Sequence, residues 1–322
     1  MRAIQVDGFG GPEVLRPVEL PEPEPGAGQV LVEVAAADTL FVETVIRSGH
    51  GGDAFPVRPP FVPGHGVAGT VVAVGAGVAR GWVGRRVAAR TPGGGYAQRV
   101  AADVAALVPV PDRLGLPEAA ALLHDGATAL GLFDAARVRA AEEVLVLPAG
   151  GGAGVLLVQL AHGAGARVTG AARGAAKLER VRGLGADAVA DYSEAGWDDK
   201  LRASTGGRGF DVVFDGVGGE AGAASLALAA DGARFLGYGM PGGGFTAADS
   251  DDVRRRGIEV HGIGVVQFDP EDAVRYIARA LEAAAEGRLR PVVGRTFPLD
   301  RAAEAHAAIE GRQVTGKTLL LA

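Results

Sequence analysis

Apolar and polar positions change rhythm partway along the chain. From Met1 to about Leu122, short β-rich runs such as "QVLVEVAAA" and "GTVVAVGAGV" alternate with Gly/Pro punctuation, which predicts a small all-β, barrel-like domain. Beyond it "PEAAALLHDGATALGLFDAA" reads as helical. Apolar runs then recur with helices between them at Val144–Leu147, Arg167–Ala172, Ala188–Tyr192, Asp211–Asp215, Ala233–Tyr238 and Ile258–Ile263. Strands alternating with helices predict a doubly wound parallel sheet, so the fold class is α/β. A helix over about Pro270–Glu286 precedes a strand, a short helix and the closing run "GKTLLLA", which pairs most simply back into the first domain. The predicted division is residues 1–122 with 266–322 for the β-rich domain and 123–265 for the parallel sheet.

The stretch from Val144 to Glu179 runs from a strand through Gly150-Gly151-Gly152 into a helix beginning near Ala153. Bare backbone N–H groups and a helix N-terminus meet there, which suits a pyrophosphate. The pattern departs from G-x-G-x-x-G, because the position three after Gly154 is Leu157, and a glycine cluster alone is equally a tight turn. Strand, turn, helix and second strand in order support a dinucleotide site. An NAD site places an acid at the end of the second strand to hold the ribose 2′-hydroxyl. Here the sequence is Ala171-Ala172-Arg173, and Arg173 and Lys177 put positive charge where a 2′-phosphate sits, favouring NADPH over the plain reading of a solvated helix start. The glycines of "DGVGG" and of Gly237-Tyr238-Gly239 either admit a ligand to the backbone or form plain turns.

Composition narrows the classes. At 322 residues and 48% hydrophobic, the chain suits two soluble domains. A net charge of -6 and only short basic clusters, such as Arg254-Arg255-Arg256, leave no nucleic-acid footprint. Without cysteine there is no disulfide and no thiolate metal site. The uncharged stretch Val144–Ala161 is broken for a lipid-facing helix by Pro148, its glycines and Gln159, so no membrane association is expected. Asp7 falls where a signal peptide needs an apolar core, and a cytoplasmic protein is expected.

The chain resembles the medium-chain dehydrogenase/reductase superfamily, and within it the zinc-free quinone oxidoreductases, over essentially its whole length. The resemblance rests on "MRAIQVDGFGGPEVL", "PEPEPGAGQVLVEVAAA", "VETVIRSG", "PFVPGHGVAGTVVAVGAGV", "GGYAQRV", "LLHDGATAL", the Ala149–Gly154 turn and "VTGKTLLL". It implies a GroES-like catalytic domain, a Rossmann domain binding NADPH, and a homodimer formed through the last strand of the cofactor sheet. By the same resemblance Gly151, Gly152, Ala153 and Gly154 form the pyrophosphate turn, Lys177 and Tyr192 contact the 2′-phosphate, and Thr128 contacts the nicotinamide. The segments around Val217, Gly239 and Val265–Phe268 flank the nicotinamide ribose and ring, and Lys317 of the closing run belongs to the cofactor set. Tyr192 is equally a strand-end packing residue, and Thr128 an ordinary helix residue.

The departures bear on the chemistry. The zinc relatives' "GHE" is here His65-Gly66, and Leu40 stands where they place Cys, so one histidine is left where a catalytic zinc takes three protein ligands. Only "ARTPG" separates "VGRRVA" from "GGYAQ", where the structural-zinc loop of those enzymes falls. Metal: none is expected. The acceptor pocket would be lined by Leu40, Phe41, His65, His124 and Phe268, with Val45 and Gly51 where some relatives carry tyrosine. The expected reaction is hydride transfer from NADPH to a quinone or α,β-unsaturated carbonyl, largely by positioning, with no compelling general acid. His124 and Asp125 read either as an acid pair or as a helix start beside a surface histidine. Two alternatives share the cofactor residues: an enoyl reductase tailoring a secondary metabolite, and a non-catalytic NADPH-binding protein.

Overall fold

The computed structural model describes residues 1–322, and the chain divides into two compact units: Met1–Gly126 with Pro270–Ala322, and Ala127–Asp269. Both junctions lie slightly beyond the expected ones at 122 and 265.

The first unit opens with β1 (Arg2–Val6), β2 (Leu15–Glu19), β3 (Gln29–Asp38), α1 (Phe41–Arg47), β4 (Gly66–Val74), β5 (Arg86–Arg90), β6 (Arg99–Asp103), β7 (Leu107–Pro109) and α2 (Leu116–Leu123). The second holds α3 (Asp125–Ala136, whose first residues belong to the first unit), β8 (Glu143–Leu147), α4 (Gly152–Gly163), β9 (Arg167–Ala172), α5 (Ala175–Gly183), β10 (Ala188–Asp191), α6 (Trp197–Ser204), β11 (Phe210–Asp215), α7 (Gly219–Ala227), β12 (Ala229–Gly237), α8 (Asp251–Arg255) and β13 (Glu259–His261). The chain then returns to the first unit through α9 (Pro270–Ala285), β14 (Val293–Pro298), α10 (Ala302–Glu310) and β15 (Lys317–Leu321).

In the first unit the main sheet runs β14-β15-β3-β4-β5-β7, with β6 pairing β3 and a separate β1-β2 ribbon. The alternation read from the sequence is visible in β3, where Val30, Val32 and Val34 are buried in a core shared with Val67, Val71, Tyr96 and Phe297. The closing strand β15 pairs antiparallel with β3, Leu319 opposite Asp38. Lys317 therefore lies on the same face as Leu319, diagonal to Asp38. On α9 the residues Ala273, Ile277, Ala280 and Leu281 are buried, one stripe at helical spacing.

The second unit is a six-stranded parallel sheet in the order β10-β9-β8-β11-β12-β13. Counted from β8, that is 3-2-1-4-5-6, the doubly wound Rossmann order, which reverses between β8 and β11. Crevices at such switch points, beyond the carboxyl ends of the strands, are where these sheets take ligands. The expected run Ala233–Tyr238 is the second half of β12, which begins at Ala229 and bends at Gly232, φ 72°. The expected single helix over residues 117–136 is two helices, α2 and α3, broken at His124. No helix is long and apolar enough to cross a membrane.

Candidate active site

Strand β8 ends at Leu147, and the chain turns through Pro148–Gly151 into α4, whose N-terminus no side chain caps. The first-turn N–H groups of such a helix have no intrahelical acceptor and form an anion site. The glycines differ in their reasons. A Cβ on Gly154 would lie 2.0 Å from the Pro148 carbonyl oxygen, so close packing of helix on turn demands glycine there. At Gly151 the nearest atom is 3.5 Å away and φ is −83°, so the fold itself would accept a side chain. Ala153, the second residue of α4, is buried.

Positive charge gathers beside this turn. The Lys177 side chain runs along Gly150, where an added Cβ would meet its Cδ at 3.3 Å. Arg173, at the end of β9, places its guanidinium 5.1 Å from the centre of the Tyr192 ring, a cation–π distance. Asp191, at the end of the neighbouring β10, accepts hydrogen bonds from the Gly174 N–H (2.7 Å) and from the Ser193 N–H (2.9 Å) and hydroxyl. These bonds and the charge of Arg173 outweigh desolvation and hold its carboxyl below the usual range, so it is an anion that fixes the β9–α5 loop. The sequence reading missed this role, because Asp191 lies on a different strand from the loop it ties.

The expected contacts beyond β11 and β12 are arranged differently from their sequence reading. Asp215, fully buried, accepts from the N–H groups of Val217 and Gly218 (2.9 Å each) and from the Thr246 hydroxyl. The Val217 side chain is buried, its N–H is committed to Asp215 and its carbonyl accepts from Gly242. Cβ atoms on Gly216, Gly218 and Gly239 would collide with Tyr238, the Gly244 carbonyl and the Gly216 carbonyl. These glycines are required because the two loops pack on each other. On α3, Gly131 receives the Phe268 ring, 2.6 Å from an added Cβ, with the Val265 carbonyl beside it; Thr128 stands one turn earlier on the same helix.

The remaining candidates lie in the first unit and are joined by two buried carboxylates. Glu43, the third residue of α1, accepts from the Leu40 N–H (3.3 Å), the His65 N–H (3.0 Å) and the Tyr96 hydroxyl, and its Oε1 is 3.2 Å from His65 Nδ1. Burial raises the Glu43 pKa, but these partners, His65 and Tyr96 first among them, bring it below its ordinary value. Tyr96 in turn meets His306 Nε2 at 3.0 Å. Since Tyr96 donates to Glu43 it accepts from His306, and burial holds that histidine neutral, its pKa down to about 4. The second carboxylate, Asp38, is 2.7 Å from His124 Nδ1. Phe41 is partly exposed at the start of α1.

Lys317 corrects an expectation. It is buried, with its ammonium ion-paired to Asp38 and to Asp125 (3.1 Å), so it is a structural cation of the first unit and is not presented to a nucleotide. Burial lowers its pKa, but the charges of Asp125 and Asp38 and their hydrogen bonds outweigh that, so its pKa lies above the ordinary lysine value. The predicted His124–Asp125 pair is also rearranged: His124 bonds Asp38, and Asp125 bonds Lys317. The cluster Arg254-Arg255-Arg256 is paired with Asp249, Asp251, Asp252 and Asp231.

Residues 26–112 match the family described as alcohol dehydrogenase GroES-like domain, and residues 184–320 that described as zinc-binding dehydrogenase. The quinone oxidoreductase of Mus musculus is 35% identical, with 100% of this chain and 98% of that protein covered. The chain belongs to the quinone oxidoreductase family of medium-chain dehydrogenases/reductases. It is an oxidoreductase with a GroES-like and a Rossmann unit. Two solved structures cover 100% of both chains: the Escherichia coli quinone oxidoreductase in complex with NADPH (27% identity, TM-score 0.92) and a mycobacterial protein in complex with NADPH (33%, 0.91). Within the quinone oxidoreductase family the chain carries no group of three or more His, Asp or Glu side chains placed to hold a metal.

Proposed function

We propose that the protein is an NADPH-dependent, zinc-independent reductase of small conjugated acceptors, a quinone or an α,β-unsaturated carbonyl. The observation that carries this reading is the cationic corner of Arg173, Tyr192 and Lys177 beside an uncapped helix N-terminus, where Lys177 lies along Gly150. The residues fit the cofactor. The N–H groups of Gly152, Ala153 and Gly154 would hold its pyrophosphate, Arg173 and Lys177 its 2′-phosphate, and Thr128 with the Val265–Phe268 segment its nicotinamide end. Gly239 and Val217 flank that path through backbone packing rather than through free N–H donors. When bound, NADPH supplies the hydride.

Zinc independence is supported by the donor set. The chain has no cysteine, Leu40 occupies one ligand position, and His65 is turned onto Glu43 through Nδ1. The acceptor candidates Leu40, Phe41, His65 and His124 lie within the first unit and are apolar apart from two imidazoles. A homodimer through β13 is supported by that strand's position at the sheet edge, with Val260 41% exposed on it.

Turnover of a panel of naphthoquinones and enones, run with NADPH and NADH in parallel and with metal analysis of the same sample, tests the reading. Acceptor-dependent oxidation of NADPH by protein without bound zinc is expected. Stoichiometric zinc, or no acceptor-dependent oxidation across the panel, would overturn it.

A further inference from the structure

Strand β9 ends in Ala171-Ala172 without an acid, and an acid stands instead at the end of the next strand. β10 pairs with β9 in parallel register with Asp191 opposite Ala172, so Asp191 lies level with the β9 terminus, within the second unit. Three ties join the two strand ends. Oδ2 of Asp191 accepts from the Gly174 N–H at 2.7 Å, the Tyr192 N–H donates to the Ala172 carbonyl at 3.3 Å, and the Arg173 guanidinium lies 5.1 Å from the centre of the Tyr192 ring. On its other oxygen Asp191 accepts from the N–H and the hydroxyl of Ser193.

These contacts decide what the acid can do. A carboxylate has about four acceptor positions, and three of those on Asp191 are filled by donors of this chain. Desolvation raises its pKa, but the hydrogen bonds from Ser193 and Gly174 and the charge of Arg173 bring it below the ordinary value, so it is a carboxylate at neutral pH. The tie matters most at Gly174. This residue has φ 82°, a conformation open to glycine, and an added Cβ would meet nothing within 4 Å, so no packing around its Cα restrains it. Its carbonyl is held by α5, whose Lys177 and Leu178 N–H groups donate to it, and its N–H, on the side of Arg173, is held by Asp191. The bond to Asp191 therefore selects one conformation of a permissive residue and fixes the direction in which the preceding Arg173 leaves the strand.

We propose that Asp191 is a positioning residue for nucleotide selectivity: an acid that favours NADPH over NADH, because it holds the Arg173-Gly174 backbone so that Arg173 meets the 2′-phosphate. The inference rests on the assignment of Arg173 to that phosphate above. Two effects of Asp191 oppose each other. Its charge repels a phosphate, but Asp191 is partly exposed, its field is screened by solvent and Arg173 offsets it. Against this, a loop already ordered spares the nucleotide the entropy of ordering it. Fixing the backbone of a free residue outweighs repulsion between screened surface charges, so the positioning effect wins.

The test measures NADPH and NADH dissociation constants by fluorescence titration for the wild type, D191N, D191A, R173A and the R173A/D191N double variant. The melting temperature of each protein without nucleotide checks that it is folded. D191N and D191A are expected to weaken NADPH binding about fivefold and to leave NADH binding within about twofold of the wild type. In the R173A background D191N is expected to change NADPH affinity by less than about twofold, because Asp191 acts through Arg173. NADPH affinity that stays within about twofold in both Asp191 variants, or that tightens, overturns the positioning role. So does an equal loss for both nucleotides, the mark of general damage to the loop, or an undiminished loss on top of R173A. A loss confined to NADH overturns it as well and makes Asp191 an acceptor for the ribose hydroxyl. In each of these cases a wild type that prefers NADPH leaves the 2′-phosphate assignment standing. A wild type that binds the two nucleotides equally overturns that assignment and the role of Asp191 together.

Discussion

The guanidinium of Arg173 sits 5.1 Å from the centre of the Tyr192 ring, so the ring of one strand end holds the cation of the next over the β9–α5 loop. A phosphate placed there meets a charge already oriented. Charge-assisted hydrogen bonds contribute about 1.5–3 kcal/mol when shielded from solvent. Arg173 is exposed, which reduces the effect. Arg173→Ala is expected to weaken NADPH binding roughly five- to tenfold, about 1 kcal/mol, and to leave NADH binding unchanged. Parallel fluorescence titrations check both.

Gly154 and Gly151 are expected to fail differently. Alanine is intrinsically the better helix former by about 1 kcal/mol, but at 154 its Cβ would press a backbone carbonyl at 2.0 Å that has no room to move. Overpacking of this kind costs about 1–3 kcal/mol. Gly154→Ala should therefore lower both the melting temperature and NADPH affinity. Gly151→Ala should keep the melting temperature and lose affinity about tenfold, because its Cβ stands on the ligand's approach. Thermal unfolding with and without NADPH separates the two.

His306 predicts an acid-side loss of stability. Its ordinary pKa is 6.5 and burial lowers it to about 4, so the unfolded chain binds a proton that the folded protein refuses. Stability is complete above about pH 6.5 and falls as pH drops toward 4, by about 3 kcal/mol over the whole window. Urea unfolding at pH 7, 6 and 5 should show the decline. His306→Gln, which can still donate to Tyr96 but does not titrate, should flatten it.

The edge strand predicts the assembly. Val260→Lys on β13 places a charge on a strand that a second copy would have to cover. Light scattering should find a dimer for the wild type and a monomer for the variant, with the circular dichroism spectrum unchanged.

The parallel sheet was legible because Arg167–Ala172 and Val144–Leu147 are apolar runs bounded by glycine and charge, the features that define buried strands locally. Ala229–Gly232 was not, since two alanines, an aspartate and a glycine carry no strand preference, and the stretch is paired in register only at Ala229, opposite Phe210 of β11. The glycine turn with Lys177 and Arg173 was readable as a unit because its parts lie within one strand–helix–strand segment. The carboxylates were not. Nothing local marks Asp38, the last residue of β3, as the partner of Lys317 and His124, which reach it from distant parts of the chain. Asp215 likewise looks like a turn residue until the loops after β11 and β12 are seen to share it.

The most direct measurement is a crystal structure with NADPH. The account predicts density for the pyrophosphate at the N-terminus of α4, along Gly151–Gly154, and for the 2′-phosphate within hydrogen-bonding distance of Arg173 and Lys177. A turn left empty at saturating NADPH, or a 2′-phosphate lying away from both cations, would contradict it.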